Sequence, residues 1–144
     1  MKNYLQKEIE KHELNKVHVL PYQPRESMPA LIAYSDIQFI FMCPQMDADG
    51  FPSKVYTIMA CERPLLVCSS NNTPIINFLT EKACAYLITE KDTDKRVELM
   101  KNFLQTANKE DLIKMGRCGL KEIEKHYSKS VVTKQYLDLV DSLF

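Results

Sequence analysis

Ser53 and Lys54 are the residues of this chain best placed to do chemistry. They stand in the run Gly50-Phe51-Pro52-Ser53-Lys54, which follows an apolar strand-like segment and opens a helix-like one. A helix start offers unpaired N–H groups and the positive end of the helix dipole; a lysine ammonium and a serine hydroxyl add a full charge and a further donor. That combination suits a phosphate or diphosphate. The position matters too, because open α/β sheets take their ligands beyond the carboxyl ends of the strands. A plainer reading of the same residues is that Pro52-Ser53 starts a helix and Lys54 is solvated.

The elements that must hold this corner are legible as short apolar runs rich in β-branched and aromatic residues at 17–20, 37–43, 65–68 and 84–88. They are separated by helical stretches, as in βαβ units, and they are continuous rather than alternating, as expected of strands covered on both faces. The spacing therefore predicts an α/β fold with a Rossmann-like parallel sheet of about four strands. Helices are expected at 29–34, 52–62 and 74–81, each with a proline near its first turn, and Thr73 is placed to cap the last of them. All seven prolines fall at or before Pro74, which leaves the second half free to form amphipathic helices. Val97, Met100, Leu104 and Ala107 share one helix face; Leu112, Gly116, Leu120, Ile123 and Tyr127 share a second; Val132, Tyr136, Leu139 and Leu143 share a third. These stripes read as core packing. Asn108 with Asp111 resembles a capping box, and Ser128 can cap the final helix. The organisation expected is one domain, with a leading helix over 1–16, a βα core over 17–90 and C-terminal helices over 91–144.

Composition excludes several classes of function. Nineteen basic residues balance nineteen acidic ones, so there is no electrostatic footprint for nucleic acid or an anionic membrane. No apolar run approaches the roughly 20 residues that span a bilayer. The amino terminus mixes charges where a signal peptide needs an apolar core, which makes the cytoplasm the expected compartment. Five unclustered cysteines (Cys43, Cys61, Cys68, Cys84 and Cys118) read as buried small hydrophobes. His12, His18 and His126 lie far apart with no ligand-like spacing, so no metal site is expected and each reads as a surface or sheet-edge residue.

Four blocks, in order and spacing, resemble the donor-binding domain of bacterial glycosyltransferase family 4, over about 17–87. They are Val17-His18-Val19-Leu20-Pro21-Tyr22-Gln23-Pro24, the helix-like run from Met28 to Asp36, the Pro52-Ser53-Lys54 helix start, and Met59-Ala60-Cys61-Glu62-Arg63-Pro64-Leu65-Leu66-Val67. The resemblance implies one half of a two-domain GT-B enzyme that transfers a sugar, with retention and without a bound metal or other cofactor. The donor would be a UDP- or GDP-linked sugar used in building capsule or O-antigen polysaccharide. It places Ser53 and Lys54 by the donor phosphates and Thr57 at the ribose. Asp49 falls where an acid faces the donor sugar, and Tyr22 and Gln23 border the nucleobase.

Two positions depart from the family pattern. Glu62 stands where a glycine usually precedes Arg63-Pro64, and Lys82-Ala83-Cys84-Ala85 replaces a glycine-bearing segment. Glu62 must then adopt another turn or accept roughly 1 kcal/mol of strain in a left-handed one. The resemblance also implies that an acceptor domain and the first two strands of the donor domain would precede Val17. On that basis the expected partners are a glycan or lipid-linked acceptor and either a second copy of the chain or a separately encoded first half. The complete enzyme could lie at the inner membrane face, and the chain alone is expected to turn over little. Two other readings stay open at this point. One is a nonenzymatic α/β interaction module, and the other, ranked last, is a receiver-like domain, whose acidic cluster Asp36, Asp47 and Asp49 would supply poorly.

Overall fold

The computed structural model describes residues 2–42 and 50–143. Three strands, β1 (Gln38–Phe41), β2 (Leu65–Cys68) and β3 (Ala85–Ile88), form a parallel sheet in the order β1-β2-β3. Gln38 pairs with Leu65, and Leu65 in turn with Ala85. The helices are α1 (Lys2–Lys11), α2 (Met28–Tyr34), α3 (Lys54–Ala60), α4 (Pro74–Leu79), α5 (Thr93–Thr106), α6 (Lys109–Glu122) and α7 (Lys129–Asp141). A 3-10 turn (Arg25–Ser27) leads into α2, and a π turn (Ile123–Tyr127) joins α6 to α7. The class is α/β with a parallel sheet and C-terminal helices, as the spacing predicts, built on three strands among the described residues where about four were expected.

The strand expected at 17–20 is irregular chain, with Val17 and Leu20 exposed. The Val17 N–H donates to the Leu14 carbonyl in a turn rather than to a ladder. Strand propensity is mostly the fit of a side chain to a pleated, half-buried surface, and here no such surface receives it. Among the described residues β1 pairs only with β2, so its other edge is open.

Burial follows from that topology. Every residue of the central strand β2 is buried. One face of the sheet packs Ile40, Leu65 and Val67 against Val55, Ile58 and Met59 of α3 and Ile75 and Leu79 of α4. The other face packs Leu66, Cys68 and Ile88 against Met100 and Phe103 of α5. Phe39 and Phe41 share that second face, in register with Leu66 and Cys68, yet are 39% and 59% exposed. The second face is thus covered over β2 and β3 and open over β1.

The C-terminal stripes differ from their expected roles. In α5 Val97 and Leu104 are exposed, and the packing is done by Met100 with Phe103, which stacks on Tyr86 at 4.2 Å. The α6 stripe is inward, with Gly116 buried and Leu112, Leu120 and Ile123 half-buried. In α7 Val132 is half-buried while Tyr136 and Leu139 are exposed, as is Leu143 just past the helix end, and the helix buries no residue. Periodicity marks an apolar face without saying that the chain itself supplies a cover for it.

Local signals held in part. Asn108 accepts from the Asp111 N–H at 2.9 Å and Ser128 from the Val131 N–H at 3.4 Å, capping α6 and α7. Thr73 occupies the N-cap position of α4, but its hydroxyl bonds instead to the Ser70 carbonyl and the Ser69 hydroxyl. Cys68 and Cys84 are buried, whereas Cys61 and Cys118 are only half-buried; Cys43 lies outside the described residues. Burial pushes the Cys84 thiol up to about 11. His12, His18 and His126 are all exposed.

A close backbone approach locks α3 to α6. The end of α3 closes with Glu62 N–H bonded to the Met59 carbonyl and Arg63 N–H to the Ile58 carbonyl, the paired bonds of a Schellman motif. That motif needs a left-handed residue, and Glu62 supplies it at φ 57°. Ala83, in the other segment where the family pattern has glycine, also lies left-handed at φ 50°. Both departures therefore keep the glycine-type backbone and accept its strain of about 1 kcal/mol each. Gly116 of α6 packs directly on the Glu62 carbonyl, where a Cβ would sit 2.8 Å from the carbonyl carbon.

Candidate functional site

The corner starts at Gly50, beyond the carboxyl end of β1, and runs into α3. Ser53 already has helical dihedrals (φ −55°, ψ −22°), so the first turn closes early. The Val55 N–H bonds to Pro52 and the Tyr56 N–H to Ser53. With the chain in that geometry the Ser53 hydroxyl makes no capping bond. Lys54 is exposed, and it forms no ion pair among the described residues. Thr57 lies one turn further along α3 and is also exposed. Residues four and three positions apart share a helix face, so Ser53, Lys54 and Thr57 present two hydroxyls and an ammonium to one side.

A cluster of four aromatic rings fixes this corner. Phe51 packs against Tyr56 at 5.5 Å and edge-on against Phe78 at 5.1 Å. Tyr56 and Phe78 then meet Tyr127 at 5.2 and 5.7 Å. The rings come from the corner loop, α3, α4 and the π turn, so the cluster ties four separate segments together. Beside it Lys82 sits over the Phe78 ring at 4.7 Å and donates to Glu122 at 2.7 Å. Burial opposes the charge on Lys82, but the Glu122 hydrogen bond and charge prevail and hold its pKa above the ordinary value. The same hydrogen bond holds the Glu122 carboxyl below its own.

Not every residue assigned to the site by sequence is gathered here. Tyr22 is 97% exposed, and the Gln23 side chain folds back onto the Pro21 carbonyl at 2.9 Å. No hydrogen bond or ring contact joins either to the corner among the described residues. Asp49 lies outside the described residues. Among the described residues no three His, Cys, Asp or Glu side chains gather as a metal site would require, and no helix is long and apolar enough to cross a membrane.

Sequence reading missed the role of Phe51 and of the two α6 glycines. Gly116 and Gly119 are two of only three glycines in the chain, and each sits mid-helix where glycine costs about 1 kcal/mol relative to alanine. That cost was itself a signal of close backbone approach. Phe51 carried no comparable signal, since its partners Phe78 and Tyr127 are distant in sequence.

No curated protein matches the chain significantly. The family model described as glycosyl transferases group 1 matches residues 1–122, from the leading helix through the last residue of α6. The parallel α/β fold, the corner beyond β1 and this match over most of the chain agree, and the chain belongs to the group 1 glycosyl transferases.

Proposed function

We propose that this chain is the donor-binding part of a retaining glycosyltransferase, one that takes a sugar from a UDP- or GDP-linked donor in bacterial surface polysaccharide synthesis. The observation that carries the reading is the pair of groups at the start of α3 that have no partner among the described residues, the Ser53 hydroxyl and the Lys54 ammonium. In this reading both hold the donor diphosphate, Thr57 faces the ribose, Tyr22 and Gln23 border the base, and Asp49 faces the sugar. The chemistry needs no metal or other cofactor, because lysine and helix-start donors take up the diphosphate charge.

Calorimetric titration with UDP and GDP tests the site. Millimolar or tighter binding is expected, and Lys54→Ala should weaken it by about tenfold, the loss of one charge-assisted bond. Heat that persists unchanged in Lys54→Ala would remove the corner from the site. No heat with either nucleotide would favour a nonenzymatic interaction module.

Catalysis also needs an acceptor pocket, which we place on an additional domain that receives the glycan or lipid-linked acceptor. The open edge of β1 is the place for a partner, either a second copy of the chain or a separately encoded first half. Sedimentation at micromolar concentration is expected to show self-association or, with the separate half present, a heterodimer. A monodisperse monomer under both conditions would refute that arrangement.

A further inference from the structure

A cleft opens at the end of the sheet opposite the Ser53–Lys54 corner, between the residues leading into β1 and β2 and the first turns of α6. It encloses about 640 Å³ and is lined by the charged side chains Asp36, Glu62, Arg63 and Lys109 and by the apolar Leu112 and Ile113. Arg63 stands out within it. Its Nε is buried and has no hydrogen-bond partner among the described residues. Two carboxylates line the same cleft, yet neither is spent on it: Glu62 turns to Arg117 at 3.3 Å, and Asp36 forms no ion pair among the described residues.

The Arg63 backbone is held by its bond to the Ile58 carbonyl and lies against α6 at Gly116. A buried N–H of a charged group without an acceptor is unfavourable, so an acceptor entering the cleft gains by satisfying it. Guanidinium Nε and Nη present two parallel N–H donors that match the two oxygens of a carboxylate. The four charged side chains of the lining sum to zero, two acids against two bases, which suits a singly charged guest better than a dianion. Leu112 and Ile113 offer an apolar wall for the rest of it.

We propose that this cleft binds a small carboxylate bearing a short apolar body, with the carboxylate on the Arg63 fork, near Lys109, and the body against Leu112 and Ile113. The site is separate from the corner at the carboxyl end of β1 and does not rest on its function. Titration of the full chain with butyrate, followed at the Arg63 Nε–H resonance by NMR, tests it. A saturable shift is expected with butyrate, a weaker one with acetate, and none with butylammonium or inorganic phosphate at equal ionic strength. Arg63→Lys should weaken butyrate binding about tenfold, through loss of the fork. Ile113→Ser changes a side chain that is already 40% exposed and should erase the preference for butyrate over acetate even if the arginine variant fails to fold. The absence of a saturable shift, an equal response to phosphate, or an unchanged preference in Ile113→Ser would each overturn the proposal.

Discussion

Gly116→Ala is expected to destabilise the protein by about 2 kcal/mol, read as a lowered urea midpoint at unchanged slope. The sign is the test. Helix propensity alone favours the substitution by about 1 kcal/mol, since alanine is the best helix former and glycine among the worst. Against it stands the Glu62 carbonyl, a rigid backbone group that the new Cβ would meet inside van der Waals contact. Relief requires α6 to move off α3, and Gly119 is only 3.3 Å, at its own Cβ position, from Met59 and Cys84. Movement there would loosen the core beneath the sheet. A stabilised Gly116→Ala protein would show that α6 slides aside at little cost and that the joint is not tight.

Phe51→Ala should cost about 2–3 kcal/mol, the sum of lost apolar burial and two aromatic contacts. Phe51→Leu keeps most of the burial and should lose roughly half as much. The pair separates packing from positioning, because the corner is held by ring geometry at 5.1 and 5.5 Å as well as by area. Nucleotide titration of both variants is therefore informative. If Phe51 positions Ser53 and Lys54, affinity falls in the alanine variant under conditions where both proteins remain folded. Equal affinity in the wild type and Phe51→Ala would restrict the ring to a stabilising role.

The candidate corner was legible in the sequence because its parts are contiguous. Gly50 to Lys54 announce a turn, a helix start, a hydroxyl and a charge within five consecutive positions. The residues expected at the base, Tyr22 and Gln23, depend on how the chain ahead of β1 lies against the sheet, and no local rule supplies that. Glu62 illustrates an intermediate case. The family pattern flags the position as glycine-like, but only the backbone shows that glutamate adopts φ 57° there and that α6 rests on its carbonyl.

By itself the sequence determined the elements whose cause is local: the strands expected at 65–68 and 84–88, the second starting one residue later in the structure, the capped starts of α6 and α7, the proline-led α2 and α4, and the charged helix start at Lys54. Apolar periodicity and capping chemistry act over a few residues, so they can be read one window at a time. The tertiary structure alone decided which apolar faces find a cover. Segment 17–20 has the composition of a strand and joins no ladder, α7 has an apolar stripe that stays mostly exposed, and Phe51 gains its role from rings far away in the chain. Burial is a property of two surfaces, and a sequence pattern describes only one of them.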